Sequence, residues 1–366
     1  MKIGIMTFWE SKNNYGQILQ LFALQSYLKK IGHKPFLIKY YRIPESKVVS
    51  ILKPVSILRY LKRTVKELFS RDYDKERQFD LFKKRHIIFG EDSYYSIGDL
   101  NKRPPHADAY VVGSDQVWNN KFSVSAEAFL LSFGGSNVRK VAYAASFGQT
   151  RLDNDTRTLF NKYIREFNAI SVREKSGLTI CDNLGVKEAK WVLDPTFLFS
   201  KEEWNDMLGL VDTSTNNTIF IYTLGNSEIT DKDKFVDYAK QIDGVRVVHA
   251  SANNDSSGKY RPTIPQWVGE IKNAKLVVTT SFHGMVFSLI NNTNFIVLPN
   301  TGKAEGMNER VVSLLSYLGL IDHVITSFSK DSFDKILKKE MPWEEINEKL
   351  EKMNVLSKEF LHQSLK

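Results

Sequence analysis

The chain has 366 residues, more than one growing hydrophobic core normally serves, so two domains are expected. Hydrophobic residues make up 42% and charged residues 25%, with 23 Phe, 15 Tyr and 6 Trp, which argues against disorder and supplies apolar material for two cores. Lys and Arg number 51 against 42 Asp and Glu, and this net charge of +9 attracts anions; with no helix-turn-helix, finger or glycine-hinged RNA-binding motif beside it, nucleic acid is not the expected partner.

The opening residues Met1-Lys2-Ile3-Gly4-Ile5 enter a strand pattern directly, without a basic region and long apolar core. No stretch reaches the roughly 20 apolar residues that cross a bilayer, so a cytoplasmic protein is expected. The lone Cys181 cannot form an intrachain disulfide and reads as a buried or half-buried thiol. Lys2 to Phe8 is a short apolar strand, Asn13-Asn14-Tyr15-Gly16 a loop, and Ile18, Leu21, Phe22, Leu24, Leu28 and Ile31 have helical spacing. Gly32 ends that helix and Pro35 to Tyr40 is the next strand, so the first loop lies at the carboxyl end of a parallel strand, where ligands bind in open α/β sheets.

From Arg42 to Arg71 there are eight Lys or Arg residues against Glu45 and Glu67, with an apolar stripe at 51, 55, 58, 61, 65 and 68. This basic amphipathic segment is either a surface helix with a solvated face or a contact with a membrane or lipid-linked substrate. Ala109 to Val112 is a strand leading into Gly113-Ser114-Asp115-Gln116-Val117-Trp118-Asn119. Strands at Lys140 to Ser146, Ile170 to Val172 and Ala189 to Leu193, with a helix around Thr156 to Phe167, follow; the last strand stops at Asp194-Pro195-Thr196. Ser200 to Trp204 and the polar run Asp212 to Thr218 read as the passage between domains.

Alternation then restarts: strand Thr218 to Thr223, helix Asp231 to Gln241, strand Arg246 to His249, helix Pro265 to Asn273, strand Lys275 to Thr279, helical Met285 to Ile290, strand Phe295 to Leu298 and helix Arg310 to Leu318. Trp343 to Leu365 is helical by the spacing of Ile346, Leu350, Met353, Leu356 and Phe360. The expected division is an N-terminal Rossmann-like domain over 1–205, a second over 206–330, and a helical tail over 331–366 that returns to the first.

Asn14-Tyr15-Gly16 with Leu19-Gln20 and Ala23-Leu24-Gln25, the Gly113 to Asn119 phrase, Ser171-Val172-Arg173-Glu174, Leu193-Asp194-Pro195-Thr196 and Ser281-Phe282-His283-Gly284 occur in an order and spacing that resemble the polysaccharide pyruvyl transferase family, roughly from Lys2 to Leu320. The resemblance implies transfer of an enolpyruvyl group from phosphoenolpyruvate onto two hydroxyls of a glycan or polyprenyl-linked sugar as a ketal. It also implies an α/β fold of two Rossmann-like domains with a central cleft, similar to the GT-B glycosyltransferases, the first on the acceptor side and the second on the donor phosphate side; the basic Arg42 to Arg71 segment, in its membrane reading, adds peripheral contact with the cytoplasmic face of a membrane. A nucleotide-sugar glycosyltransferase or epimerase, or a carbohydrate-binding protein of the same fold, is the competing reading. Neither a dinucleotide glycine fingerprint nor a base-binding phrase supports the first of these.

Phosphoenolpyruvate carries a carboxylate and a phosphate close together, so its site needs fixed guanidinium or ammonium donors, backbone amides and a proton source. Arg173, which Glu174 beside it can orient, is the anion-binding residue that the resemblance implies. His283, in a strand-to-helix turn, binds phosphate or donates a proton. Ser281 and Gly284 complete a phosphate cradle at a helix start, and Arg310, next to Glu309, reaches the cleft from the second domain. Thr280 stands where many relatives have an aspartate, which removes a candidate base there. Asp115 is the carboxylate expected to activate an acceptor hydroxyl, with a helix cap as the other account. Asn14, Tyr15, Gly16, Gln116, Trp118 and Asn119 are assigned to the acceptor, although Trp118 fits a core position equally and the first three fit a plain turn. Asp194, before Pro195, reads as structural. No clustered ligand spacing points to a metal, and no cofactor is expected.

Overall fold

Apolar runs bounded by turn residues become strands here, and the helices between them carry the chain back, so that every strand pair among the described residues is parallel. The structure, a computed structural model, describes residues 1–42, 75–121, 126–211, 217–225, 231–252 and 258–366. The first sheet contains β1 (Lys2–Met6), β2 (Lys34–Tyr40), β3 (Phe89–Tyr94), β4 (Ala109–Val112), β5 (Arg139–Ala145), β6 (Ala169–Val172) and β7 (Lys190–Trp191). The second contains β8 (Thr218–Leu224), β9 (Arg246–Ala252), β10 (Ala274–Thr279) and β11 (Phe295–Val297). The basic stretch expected to form an amphipathic helix lies, apart from Arg42, outside the described residues.

Strand order in the first sheet is β3-β2-β1-β4-β5-β6-β7, and in the second β11-β10-β8-β9. The winding direction therefore reverses between β1 and β4 in one lobe and between β8 and β10 in the other. At such a switch point the two following loops part and leave a crevice outside the carboxyl ends of the strands. The loops after β1, β4, β8 and β10 carry the Asn14, Asp115, Leu224 and His283 segments, and the topology alone brings them to the crevices.

The Tyr15–Lys30 helix is buried on nearly all sides, because it is sandwiched between the first sheet and the second lobe. Its polar side chains are matched locally: Gln25 both donates to and accepts from the backbone of Ile88, at 2.9 and 2.7 Å. Across the lobes, Tyr15 stacks on Trp267 with ring centroids 5.1 Å apart and planes 6° from parallel. Its hydroxyl donates to the Pro262 carbonyl at 2.6 Å. Trp204 meets Phe22 of the first lobe and Phe287 of the second, and one continuous apolar cluster contains residues of both lobes. The Trp343–Ser364 helix lies back across the first lobe: Ser357 Oγ accepts from Leu193 N–H at 3.0 Å and Phe360 faces Tyr143. No helix among the described residues is long and apolar enough to cross a membrane.

Two segments depart from the sequence expectation. Ser200 to Trp204, taken as part of the passage, instead opens a helix (Lys201–Leu208) started by a reciprocal Ser200–Glu203 capping box and ended by Gly209 at φ 62°. Phe89–Tyr94, too polar to read as a strand, is β3, the edge of its sheet, where charged residues are tolerated because one side of the strand has no neighbouring strand among the described residues.

Replacing the buried Trp267 by Ala removes the interlobe stack and is expected to cost about 3–5 kcal/mol, with both lobes losing structure in one shifted transition. Urea unfolding followed by far-UV dichroism checks this; a wild-type midpoint would mean that the stack contributes nothing.

Candidate active site

The two switch points face each other across a cleft of about 550 Å³. On the first lobe, Asn14 ends the β1 loop as an N-cap, its side-chain oxygen accepting from Gln17 N–H at 3.3 Å. The β4 loop is tied to the β1 loop by Thr7 Oγ1, which donates to the Ser114 carbonyl at 3.0 Å. Asp115 follows in the left-handed region, φ 73°, a conformation that non-glycine residues hold only where surroundings enforce it. On the second lobe, Leu224 N–H donates to Thr280 Oγ1 at 3.0 Å, which joins the ends of β8 and β10. Ser281 then caps the Phe282–Asn291 helix through Gly284 N–H at 3.3 Å.

Three charged side chains and an imidazole meet where the lobes touch. Asp194 is fully buried; one oxygen accepts from Arg173 Nη1 at 2.6 Å and from Ser114 Oγ at 3.0 Å, and lies 3.4 Å from His283 Nε2. Its other oxygen accepts from Thr196 N–H at 3.1 Å and Thr196 Oγ1 at 2.8 Å. Arg173 Nη2 lies 3.5 Å from Asp115 Oδ1. Burial alone would raise the Asp194 carboxyl, but the charge and contact of His283, then the charge of Arg173, hold it well below the usual carboxylate range. Burial likewise pushes Asp115 up, and Arg173, His283 and Arg310 outweigh it, so it too lies low. Both carboxylates are therefore ionised at neutral pH.

Arg310 enters from the start of the Glu309–Leu318 helix; its Nε donates to the Met307 carbonyl at 3.2 Å. Its guanidinium lies over the Phe282 ring at 5.2 Å, and that of Arg173 over the same ring at 4.7 Å. Burial and then the charge of Arg173 bring Arg310 down to about 10, which leaves it cationic at neutral pH.

Asn14, Asp115, Gln116, Ser281, His283 and Arg310 line the cleft. Arg173 lies behind its wall, with both terminal nitrogens turned to carboxylates. Glu174 does not hold Arg173 as expected. In extended backbone, neighbouring side chains point to opposite sides, and Glu174 instead accepts from the N–H groups of Phe147 at 2.7 Å and Gly148 at 3.2 Å. Trp118 is core, its indole N–H donating to the Phe129 carbonyl at 3.0 Å; Asn119 is buried and donates to Gln116 Oε1 at 2.9 Å. Tyr15 is committed to the interlobe stack. Gly16 supports the site from below: a Cβ there would fall 2.1 Å from His283 Nδ1. Gly284 serves packing, since a Cβ would sit 2.4 Å from Thr279 Oγ1, and its N–H is taken by the cap. Sequence reasoning passed over Phe8, Glu10 and Arg42 on the first-lobe wall. Arg42 Nε donates to Glu10 at 2.9 Å and its guanidinium stacks 3.9 Å from the Phe8 ring centre; only their shared position after β1 and β2 signalled them. Among the described residues no group of His, Cys, Asp and Glu is arranged to hold a metal ion.

Solved structures of the same architecture include the UDP-N-acetylglucosamine 2-epimerase from Rickettsia bellii, 11% identical, covering 99% of this chain and 95% of that one with a TM-score of 0.52. The Methanocaldococcus jannaschii UDP-GlcNAc 2-epimerase is 13% identical over 93% of this chain and 94% of its own, also at 0.52. At such identity the likeness establishes the two-lobed, GT-B-like fold alone. No curated protein matches the sequence significantly. The sequence profile of polysaccharide pyruvyl transferases matches residues 14–302. The chain belongs to that family. It is an enzyme, and its chemistry is pyruvyl transfer from phosphoenolpyruvate to a glycan or lipid-linked sugar. The matched span contains Asn14, Asp115, Arg173, Asp194 and His283; Arg310 lies just beyond it.

A pyruvyl transferase with Gly16→Ala must displace the His283 ring, so loss of most activity with little change in far-UV dichroism is expected; full activity would show that the ring has room to move. Asp194 gives a pH signature. A carboxyl depressed on folding stabilises above its unfolded value, about 3.9, and that stabilisation is lost as pH falls towards the folded value. The stability deficit of Asp194→Asn at neutral pH should therefore narrow below about pH 4, as measured by unfolding at a series of pH values.

Proposed function

We propose that this pyruvyl transferase holds phosphoenolpyruvate between the lobes, its two anionic groups shared among Arg310, His283, Ser281 and the start of the Phe282–Asn291 helix, while Asp115 faces the acceptor hydroxyl. The observation that carries this reading is the Arg310 guanidinium. It is 6% exposed, fixed by one bond through Nε and seated on Phe282, yet its terminal nitrogens make no hydrogen bond or ion pair with the described residues, although it lines the cleft. A buried cation with open donors is costly unless an anion meets it. The helix start adds to this, because the amides of its first turn and its positive end favour an anion. Arg173 acts from behind, neutralising Asp115 and Asp194 so that they do not repel the donor.

In this arrangement the donor methylene gains a proton, which makes C2 electrophilic, and one acceptor hydroxyl adds to C2 as its proton passes to Asp115. The C2–O bond to phosphate then breaks, the electron pair leaving with phosphate. The second hydroxyl closes the ketal and releases its proton. One proton is taken up by the methylene and two leave the hydroxyls, so the surplus proton departs on the phosphate. Gln116 and Asn14 on the first-lobe wall are placed to hold the sugar. A polyprenyl-linked acceptor presented at a membrane surface is supported by the eight Lys and Arg residues between Arg42 and Arg71. Incubating the protein with phosphoenolpyruvate and either free or polyprenyl-linked glycans, followed by mass analysis, tests reaction and acceptor together.

Arg310→Ala is expected to weaken donor binding about 10- to 100-fold, the worth of a charged hydrogen bond. Asp115→Asn should spare donor binding and lower kcat about 10²-fold or more. Calorimetry and steady-state kinetics separate the two effects. Unchanged phosphoenolpyruvate affinity in both Arg310→Ala and His283→Ala would overturn the donor site.

A further inference from the structure

His283 is turned so that its two ring nitrogens meet opposite electrostatic surroundings. Nε2 points at the ionised Asp194 carboxylate, 3.4 Å away, which is long for a hydrogen bond; it has no other polar partner among the described residues. Nδ1 lies over Gly16, in the first turn of the 16-residue Tyr15–Lys30 helix. A helix start presents N–H groups and positive charge. A hydrogen on Nε2 faces a carboxylate, and Nδ1, beside the first turn of that helix, sits in its positive field, which favours a lone pair there. Both surroundings select the same tautomer.

We propose that Asp194 is the positioning residue of this active site: it fixes His283 as the Nε2–H tautomer and so leaves Nδ1 as the nitrogen through which the ring takes up or delivers a proton. The inference rests on the reading that His283 meets the donor, and it sharpens that reading. A neutral ring presents a lone pair at Nδ1, so it contacts phosphate productively only after that nitrogen is protonated. The Asp194–Pro195–Thr196 turn makes the arrangement rigid. Thr196 occupies one carboxylate oxygen through its N–H and hydroxyl, which leaves the other for Arg173, Ser114 and His283. Arg173 belongs to the same device, because its short bond to that oxygen keeps the carboxylate ionised next to the ring, while Asp115, Arg310 and the buried Glu174 also act on this cluster.

The test is the nitrogen NMR spectrum of the imidazole in protein carrying 15N-histidine, with His283 assigned among the seven histidines by its disappearance in His283→Gln, recorded at a pH where the ring is neutral. The expected result is a protonated Nε2 and an unprotonated Nδ1, giving way to a tautomer mixture in folded Asp194→Ala together with a fall in kcat of about 10²-fold. A protonated Nδ1 in the wild-type protein would overturn the proposal, and so would a tautomer unaltered in Asp194→Ala. The wild-type spectrum decides the matter if that variant does not fold. Donor affinity in His283→Ala reports separately on the contact between His283 and the donor: unchanged affinity there removes His283 from the donor site while leaving the tautomer result standing.

Discussion

The Asp194 carboxylate has exchanged water for donors that come from both lobes. Removing an anion from water costs several kcal/mol even after relaxation, and the loss is offset only where each oxygen finds hydrogen-bond donors. Here Thr196, Ser114 and Arg173 supply them from the first lobe, and His283 brings the imidazole of the second against the same oxygen. A charge so placed fixes geometry more than it adds stability. Any tilt of one lobe against the other would carry His283 away from Asp194, so the electrostatics of the cleft depend on how the lobes are set.

The helix starts obey the same logic. In each lobe a parallel sheet sends a strand into a loop and then a helix whose positive end points at the crevice. Gly16, in the first turn of one such helix, lies against His283, in the first turn of the other. Two helix starts and the buried cations Arg173 and Arg310 therefore concentrate positive potential at the floor of a cleft that also contains ionised carboxylates. On the proposed reading this separates roles in space: the second-lobe wall takes the anionic donor, and Asp115, Asn14 and Gln116 on the first-lobe wall are left for a neutral polyhydroxyl acceptor.

The apolar side of the interface makes the polar side possible. Tyr15, Phe22, Trp204, Trp267 and Phe287 form a continuous cluster beneath the charges. Close packing of this kind tolerates little displacement, so the hydrogen-bonded groups above it are held without relying on their own weak net energy. The long Tyr15–Lys30 helix serves both layers: its start touches the imidazole and its body fills the seam.

Strand–helix alternation, the parallel sheets and the loops carrying Asn14, Asp115, Arg173 and His283 were legible in the sequence, because apolar periodicity and turn residues act over a few neighbours. The Ser200–Glu203 capping box and Gly209 were equally local signals, overlooked in a polar stretch. β3 was hidden because an edge strand need not be apolar on both faces. What the tertiary structure alone decided is which side chains share a space. Asp194 looked like a cap, and it is one, but its second oxygen answers to residues 80 positions upstream at Ser114 and 89 downstream at His283. Trp118 and Asn119, polar or aromatic enough to hold a sugar, turned inward because the chain bends at Asp115, and Glu174 turned from Arg173 because successive side chains of an extended chain alternate. Direction and distance between remote residues depend on how the two sheets are set against each other, and no local pattern of residue types encodes that.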